Sequence, residues 1–446
     1  MHPDTAAQIS NDVRTGSLTA RAATERALAR IEQTQPLTNA WQIVRAEKAL
    51  AEADAVDARA DRAQLPLAGV PIAIKDNIPV AGEPMRDGSE ASDPAPRAAD
   101  HEVVRRLRAA GAVVVGITRV PELCLWGATD SRFGITRNPW DLERTPGGSS
   151  GGSGAAVAAG DVAIAHGNDG LGSIRIPAAC CGLVGIKPGL GVIPADIGAD
   201  SWNDTSENGP LATTVADLAL AYSVMADDPA SAEVVAPEKL RIAWSATSPV
   251  AGMPPAKEWA NAAQSTADLL RELGHQVANR SPGYPVSLLT TTALRFWTID
   301  AAVDADLFVD QSRLEPRNRR HVKIGRALQG RGLPQAAREH WRTIAEAFFA
   351  ETDVLLTPTL AHTPLKAKEW ARGGWLPSLL ANVRYAPYAA PWNFVGWPAM
   401  SVPAGVDKAG RPLGIQLVGR PGSERLLLGL AGQIEQRRPW PRTALL

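Results

Sequence analysis

The sequence predicts an α/β fold, a single large domain in which a mixed, mostly parallel β-sheet is flanked by α-helices. Three observations lead to this prediction. Helical segments alternate with short apolar runs through the first half of the chain, which is the pattern of strand–helix–strand units. Residues 225–350 are mainly helical in pattern and are expected to form a variable region inside the same domain. No stretch of linker composition divides residues 1–446, so one domain is expected over the whole length.

Eight segments show the spacing of apolar side chains that predicts an α-helix. Local signals agree with one of the boundaries, because Asp100 is a residue type that caps helix N-termini and Gly111 is a type that ends helices. The predicted helices span residues 19–31, 45–62, 101–110, 214–226, 254–273, 288–309, 334–351 and 424–436.

Short apolar runs between these helices predict buried β-strands. They lie at residues 70–74, 112–118, 162–165, 183–186, 353–357, 399–402 and 414–418. Lys75 follows the first of these strands directly, so its amine is expected at the end of a buried strand. Residues 146–160, PGGSSGGSGAAVAAG, begin with the composition of a flexible linker, but the Ala and Val that follow predict a tightly packed helix.

The composition excludes several classes of protein. Lys plus Arg number 46 against 47 for Asp plus Glu, and no long basic run occurs, so nucleic acid is not expected as a partner. The N-terminal residues are polar, and no run of about 18 apolar residues predicts a membrane span. The three cysteines and seven histidines show no metal-ligand spacing, so we expect no metal, no cofactor and a reducing, cytoplasmic location.

Three short segments carry residues suited to hydrolysing an amide, which requires a nucleophile, a proton relay and donors for the oxyanion. Lys75 lies in GVPIAIKDN, Ser149 in GGSSGG and Ser173 in GNDGLGSIRIP. Each segment alone has a simpler interpretation: a lysine that reaches solvent or pairs with Asp76, a flexible loop, and an ordinary turn. A buried lysine has a lowered pKa and serves as a base, so the three segments together favour a serine hydrolase with a lysine relay.

These segments resemble the amidase signature family. Residues 146–160 and the run GNDGLGSIRIPAACCGLVGIKP are similar to its central signature, and GVPIAIKDN is similar to its lysine motif. The spacings match as well, with 74 positions from Lys75 to Ser149 and 24 from Ser149 to Ser173. Further similar segments are RLRAAGAVVVGIT, GPLATTVADLAL, DVLLTPT and VPAGVDKAGRPLGIQLVGR, and the resemblance is weakest over residues 225–350 and 360–390.

The resemblance implies a Ser-cisSer-Lys triad. Ser173 would be the nucleophile, Ser149 would follow a cis peptide bond and bridge, and neutral Lys75 would be the final base. Backbone N–H groups around Ser173 would bind the oxyanion, and residues 225–350 would determine the substrate. The residues implied or considered for the oxyanion site and the substrate pocket are Gly170, Leu171, Gly172, Ser150, Asp169, Trp126, Trp202 and Trp392.

Two features of the nucleophile turn depart from the family. Asn168 stands where the family usually has Thr, and Leu171 stands where it has Gly. A positive φ at position 171 would strain a leucine, so the oxyanion geometry is the part of the site that this change affects most.

The sequence therefore predicts an amidohydrolase that cleaves a small-molecule carboxamide, linear or cyclic, through a serine acyl-enzyme. A homodimer is compatible with this prediction. Three alternatives remain open: amide formation by acyl transfer or an amidotransferase subunit on the same fold, a non-catalytic binding protein on that fold, and an α/β-hydrolase esterase. The last rests on the match of GGSSG to G-x-S-x-G and would need a histidine such as His362.

Overall fold

The computed structural model describes residues 4–446, and its strands build one large sheet and one small hairpin. The strands are β1 (Trp41–Val44), β2 (Pro71–Lys75), β3 (Val113–Thr118), β4 (Asp130–Ser131), β5 (Gly134–Ile135), β6 (Ile164–Asp169), β7 (Val184–Lys187), β8 (Glu207–Ala212), β9 (Arg241–Trp244), β10 (Gln276–Asn279), β11 (Val354–Pro358), β12 (Ala399–Val406) and β13 (Pro412–Val418).

Helices and helical turns connect these strands. They are α1 (Ala6–Thr15), α2 (Ala20–Thr38), α3 (Ala46–Asp57), α4 (Glu102–Ala109), α5 (Gly151–Ala158), α6 (Arg175–Cys181), α7 (Ser201–Asp204), α8 (Val215–Ala226), α9 (Lys257–Glu272), α10 (Ala293–Ala305), α11 (Pro316–Gln329), α12 (Gln335–Phe349), α13 (Trp375–Tyr385), α14 (Ala390–Phe394) and α15 (Glu424–Arg437).

The eight predicted helices are present, but their ends differ: α2 continues past residue 31 to Thr38, and α3 ends at Asp57 instead of residue 62. Thr19 and Thr214 cap α2 and α8 by accepting hydrogen bonds from the N–H groups of Ala22 and Asp217. The cap of α4 is His101 instead of Asp100, because the Asp100 carboxylate accepts a hydrogen bond from the N–H of Ala81.

Within residues 4–446, eleven strands form a single mixed sheet in the order β1-β3-β2-β6-β8-β7-β12-β13-β11-β9-β10. The α/β class and the single domain are as predicted, but the expectation of mostly parallel strands is wrong. Parallel pairs occur towards the two ends, between β3, β2 and β6 and between β11, β9 and β10, while the six other pairs are antiparallel. Helices cover the central strands whether their neighbours are parallel or antiparallel. A continuous apolar run in the sequence therefore does not show which pairing a strand has.

Residues 225–350 contain α9 to α12 and two strands that the sequence did not predict, β9 and β10. Each is only four residues long, and β10 lies at the edge of the sheet with little of its surface buried. A strand this short and exposed carries no clear alternation of apolar and polar residues.

The small residues of 146–160 form a buried helix, as predicted. All eight residues of α5 are buried. A side chain at Gly152 would place its Cβ 2.5 Å from the backbone nitrogen of Arg119, so the helix contacts the neighbouring chain directly. The loop before α5 is thereby held at the ends of β2 and β6, which are parallel neighbours and finish at the same edge of the sheet. Within residues 4–446, no helix has the length and apolarity needed to cross a membrane.

Candidate active site

Lys75 is the last residue of β2 and is completely buried. It neither reaches solvent nor pairs with Asp76, whose carboxylate accepts a hydrogen bond from the N–H of Arg86 at 2.8 Å. Among residues 4–446, no carboxylate forms a salt bridge with Lys75. Burial disfavours the ammonium form and lowers the pKa of Lys75 from its ordinary value.

The amine of Lys75 has three contacts, all of them with oxygen atoms. Its Nζ lies 2.5 Å from Oδ1 and 3.3 Å from the carbonyl oxygen of Asn168, and 2.8 Å from Oγ of Ser149. A neutral amine has two N–H donors and one lone pair. In that form the two acceptors on Asn168 take both donors, and the lone pair is available for the proton of the Ser149 hydroxyl. In the charged form the third N–H donates to Ser149 instead.

Asn168 is itself held in orientation, because its Nδ2 donates to Oδ1 of Asn77 at 2.7 Å. Asn168, which stands where the family usually has Thr, therefore contacts the amine of Lys75 directly. The nearby His166 is unsuited as a base for Lys75 or Ser149, since burial lowers its pKa to about 3 and its ring bonds to Asn208.

The loop before α5 carries two serines with different surroundings. The Gly148–Ser149 peptide bond is cis, in agreement with the family resemblance. Ser150 donates its N–H to the carbonyl of Ser173 at 3.2 Å and its hydroxyl to the carbonyl of Asn168, also at 3.2 Å. The prediction that Ser150 lines the substrate pocket is therefore wrong. Its side chain is buried, and the two hydrogen bonds of this residue join the loop to the carbonyl groups of Asn168 and Ser173.

Ser173 lies in the turn between β6 and α6 and is partly exposed to a cavity that Ser149 and Asn168 also line. Within residues 4–446, no hydrogen bond joins the hydroxyls of Ser173 and Ser149, and the two segments are held together by the backbone contact through Ser150. The structure thus brings the three sequence-predicted residues to one place, with the hydroxyl of Ser173 directed at the cavity instead of at a protein partner.

The nucleophile turn is fixed by a buried ion pair. The Asp169 carboxylate accepts hydrogen bonds from Nε and Nη2 of Arg175 at 2.9 and 2.8 Å, and both side chains are fully buried. Burial alone would raise the pKa of Asp169, but Arg175 outweighs it and holds the pKa below its ordinary value. The same carboxylate accepts the N–H of Gly172 at 2.6 Å and that of Ile174 at 3.1 Å.

This arrangement corrects the predicted oxyanion site. The N–H of Gly172 is occupied by Asp169, so it is not available to a substrate. In the described part of the chain, the N–H groups of Gly170, Leu171 and Ser173 have no protein acceptor. These three donors are the candidates for the oxyanion.

Leu171 does not bring the strain that the sequence suggested. The residue of positive φ in this turn is Gly172, with φ of 123°, and a Cβ there would lie 2.7 Å from that of Ala389. Leu171 is outside the positive-φ residues and packs its side chain on two apolar clusters. The turn therefore accommodates leucine at position 171, because the positive φ that favours glycine occurs at position 172.

Two cavities meet at Ser173, and we call them the polar cavity and the apolar cavity. The polar cavity has a volume of about 320 Å³ and is lined in part by Asn77, Asp87, Cys124 and Ser149. The apolar cavity has a volume of about 100 Å³ and is lined mostly by aliphatic and aromatic side chains, including Trp126. Ser173 lines both.

The three tryptophans considered from the sequence have different positions. Trp126 lines the apolar cavity and donates its Nε1–H to Oδ1 of Asn318 at 2.7 Å, while Trp202 lines the polar cavity. Trp392 lines neither and is fully buried, packed against Trp341 with ring centroids 5.5 Å apart. Its predicted place in the pocket is wrong, because its ring belongs to an apolar core behind the site.

Trp202 belongs to an unusual turn. All four residues of α7 have φ between 50° and 60°, in the left-handed region that costs non-glycine residues energy. Helix α10 holds this turn in place: Oδ2 of Asp304 accepts the indole N–H of Trp202 at 2.6 Å, and Oδ1 of Asp300 accepts from Nδ2 of Asn203 at 2.5 Å. The helical region thus shapes a wall of the polar cavity.

The sequence also did not predict that Asp87 and Cys124 lie at the site. In residues 4–446 the carboxylate of Asp87 accepts one hydrogen bond, from the thiol of Cys124 at 3.8 Å. Burial, followed by the charges of Asp76 and Asp304, raises the pKa of Asp87 to about 8. Burial likewise raises the pKa of the Cys124 thiol to about 12, which disfavours its thiolate form.

Asn393 and Gln416 complete the buried network around Arg175 and were also missed. Arg175 donates to Oδ1 of Asn393 at 2.6 Å and to Oε1 of Gln416 at 2.7 Å. Gln416 lies in GIQLVGR, a segment that the resemblance includes, so a signal for it was present in the sequence.

His362 lies in the loop after β11 and lines neither cavity. Among the residues from 4 to 446, no group of three or more His, Cys, Asp or Glu side chains is arranged to hold a metal ion.

The chain is similar to known amidases. A model of the family described as Amidase matches residues 22–428. A protein of Mycobacterium tuberculosis (strain ATCC 25618 / H37Rv) that carries the name amidase AmiB2 is 43% identical over 437 residues, covering 95% of this chain and 94% of that protein. An acylamidase of Rhodococcus erythropolis is 34% identical over 477 residues, covering 99% and 96%.

The fold is also similar to that of a solved structure. A 6-aminohexanoate cyclic dimer hydrolase complexed with substrate superposes with a TM-score of 0.86 at 29% identity. The superposition covers 98% of this chain and 97% of that one.

Proposed function

The chain belongs to the amidase signature family of amidohydrolases, and from this premise we propose that it cleaves a small-molecule carboxamide through an acyl-enzyme formed on Ser173. The observation that carries the proposal is the contact of 2.8 Å between Nζ of Lys75 and Oγ of Ser149, buried beside a cavity that Ser173 lines. This contact joins a base of lowered pKa to a hydroxyl that neighbours the nucleophile.

The first step is attack of Ser173 Oγ on the amide carbonyl. Its proton passes to Ser149, and Ser149 passes its own proton to the lone pair of Lys75. In residues 4–446 no protein acceptor holds the hydroxyl of Ser173, so it is free to rotate about the Cα–Cβ bond within the cavity that Ser149 also lines. Asn168 supports this step by keeping the lone pair of Lys75 directed at Ser149.

The carbonyl oxygen becomes an oxyanion as Ser173 attacks. The N–H groups of Gly170, Leu171 and Ser173 are the donors for it, and their positions are set by Asp169 before any substrate arrives. Donors fixed in advance stabilise the developing charge without reorganisation during the reaction.

The second half of the reaction reverses the path of the proton. Lys75 returns it through Ser149 to the amide nitrogen, the carbon–nitrogen bond breaks, and the amine leaves. Water then attacks the ester on Ser173 with the same relay as base, which gives the carboxylic acid and restores the serine.

Residues 225–350 are proposed to determine the substrate. Support comes from α10, whose Trp297 and Asp304 line the polar cavity and whose Asp300 and Asp304 hold the turn that carries Trp202. A cytoplasmic location and a homodimer remain predictions. The three unpaired cysteines are compatible with a reducing compartment.

A panel of amides tests the proposed reaction. Wild type and Ser173→Ala are assayed with aliphatic, aryl and peptide amides and with matched esters, and released amine and acid are both measured. We expect equal amounts of amine and acid from at least one amide class and no turnover with Ser173→Ala. Turnover that survives in Ser173→Ala would overturn the proposal.

Amide formation is separated from hydrolysis in the same assay. Hydroxylamine is added at increasing concentration, and the ratio of hydroxamate to carboxylic acid is measured. An acyl-enzyme open to water gives acid as the main product without added amine, whereas an acyltransferase gives little acid under any condition.

A further inference from the structure

The two cavities that meet at Ser173 have opposite chemistry. Among residues 4–446, no charged residue lines the apolar cavity, and its lining is aliphatic and aromatic apart from Ser173 and Asn382. The lining of the polar cavity includes four carboxyl groups and one guanidinium group. These groups belong to Asp87, Asp93, Asp196, Asp304 and Arg97.

Both cavities share the side chains next to the nucleophile. Leu125, Leu171 and Trp297 line both, as Ser173 does. Both cavities are therefore open to a substrate whose carbonyl lies at Ser173.

The position of Ser149 decides which end enters which cavity. Ser149 lines the polar cavity, whereas the apolar cavity is bounded at this point by Gly148. In the proposed reaction the leaving nitrogen receives its proton through the hydroxyl of Ser149. The amine portion of the amide then lies in the polar cavity and the acyl portion in the apolar one.

Asp87 lies beside this leaving-group position. It shares the polar cavity with Ser149, and its carboxylate has only the distant thiol of Cys124 as a donor within residues 4–446. Asp304 faces the same cavity, but its two oxygens already accept from the N–H of Ala199 and the indole of Trp202. Asp93 accepts from the N–H of Ala95 at 2.9 Å, and Asp196 is exposed to solvent. Within residues 4–446, Asp87 is therefore the partly buried carboxylate of this lining that has no N–H or O–H donor.

The charged and titratable groups that act on Asp87 are Asp76, Asp304, Lys75 and Arg97. Burial, followed by the two acids, raises the pKa of Asp87 to about 8, while Arg97 and the charged form of Lys75 act in the opposite direction. An ammonium group placed beside it would favour the carboxylate form and supply the missing donors.

We propose that the preferred substrates are secondary amides with a short apolar acyl group and an amine portion that carries a second, protonated amine, which Asp87 recognises. This inference rests on the proposed function, because it uses the direction of proton delivery to assign the two ends.

Three synthetic amides test the inference with the wild-type enzyme. N-(5-Aminopentyl)hexanamide carries the cation on the amine portion, and its isomer N-pentyl-6-aminohexanamide carries it on the acyl portion. N-Pentylhexanamide is the neutral reference. We expect kcat/KM for the first to exceed both others by about tenfold or more, since a partly buried charge pair is retained only in that orientation.

The variant Asp87→Asn tests the residue, with Asp61→Asn as the matched control. Asp61 is exposed and lines neither cavity. Asp87→Asn is expected to bring the ratio of kcat/KM between the first amide and the neutral one close to one, while Asp61→Asn keeps the wild-type ratio. The rate at which a fluorophosphonate labels Ser173 reports whether each variant is folded.

The outcomes separate this inference from the proposed function. Hydrolysis of the neutral amide or of the acyl-side isomer as fast as the first amide overturns the charge inference and leaves the proposed function standing. No hydrolysis of any of the three amides, with Ser173 still labelled, overturns the substrate class alone. No hydrolysis and no labelling overturns both. A ratio unchanged in folded Asp87→Asn removes Asp87 from recognition.

Discussion

Nζ of Lys75 lies 2.8 Å from Oγ of Ser149, and both side chains are almost completely withdrawn from solvent. No carboxylate among residues 4–446 compensates the lysine as a salt-bridge partner, so its charged form is disfavoured. Burial lowers the pKa of this lysine, whereas the histidine of most serine hydrolases has an ordinary pKa near 7 without such a shift.

Replacing Lys75 with Met should remove the proton acceptor while keeping an apolar side chain of similar length. We expect kcat/KM for an amide substrate to fall by roughly 10²–10⁴-fold, the usual contribution of a general base. Steady-state kinetics measures the change, and circular dichroism checks the fold. A folded variant with activity near that of wild type would show that another group accepts the proton.

The activity of the wild-type enzyme should rise with pH. The active form has a neutral Lys75, and an amine is neutral above its pKa. Since burial lowers that pKa, the rise should begin below the range of an exposed lysine, near 10.4. A profile of kcat/KM from pH 5 to 10 measures it, and a maximum below pH 5 would contradict the assignment.

Changing Asp169 to Asn should destabilise the protein by about 3–5 kcal/mol, because Arg175 would be left buried without a counter-charge. Denaturant unfolding of wild type and variant gives this difference. Its pH dependence has a definite sign. The folded pKa of Asp169 lies below the unfolded value, so the stabilisation is complete above about pH 4 and is lost as the pH falls towards the folded pKa.

If the free energies of unfolding of wild type and Asp169→Asn differ equally at pH 7 and pH 3, the ion pair is not the origin of the effect. A second variant, Arg175→Met with Asp169→Asn, should recover part of the stability by removing the uncompensated charge.

Gly172→Ala should impair both folding and catalysis. The φ of 123° is unfavourable for alanine, and the new methyl group would lie 2.7 Å from the Cβ of Ala389. A displacement of Ser173 by about 1 Å would cost roughly 10²-fold in rate. Gly170→Ala is the matched control, because its φ is not positive and its Cβ would have no neighbour closer than 3.5 Å. Equal losses of kcat in the two variants would contradict this account.

His362→Ala should keep wild-type activity. This histidine lines neither cavity, whereas the esterase alternative requires a histidine next to the nucleophile. Assays with a matched amide and ester decide the matter, and loss of both activities would favour the esterase.

The sequence predicted the parts of the site that lie in contiguous motifs. Lys75, Ser149 and Ser173 were identified from their segments, and the structure brings these segments together. Asn168 was noted only as a departure from the family, since its contact with Lys75 joins positions 93 residues apart. The occupied N–H of Gly172 was missed because it depends on the local fold of the turn.

Parts of the fold were also missed because they depend on contacts between residues far apart in the sequence. Strand β8 was missed because Glu207, Gly209 and Pro210 are poor strand residues, although β8 lies in the middle of the sheet between β6 and β7. The left-handed residues of α7 were missed too, since α10 holds them from about 100 positions away. Tertiary contacts determine the conformation of β8 and of α7, and local sequence patterns do not show these contacts.

Trapping of the acyl-enzyme tests the central claim most directly. The enzyme is mixed with an activated amide such as a p-nitroanilide of a short apolar acid, quenched in acid within milliseconds, digested and analysed by mass spectrometry. We expect the mass of the acyl group on the peptide that contains Ser173, and none with Ser173→Ala. An acyl group on another residue, or turnover that proceeds without any acylated peptide, would contradict the proposed function.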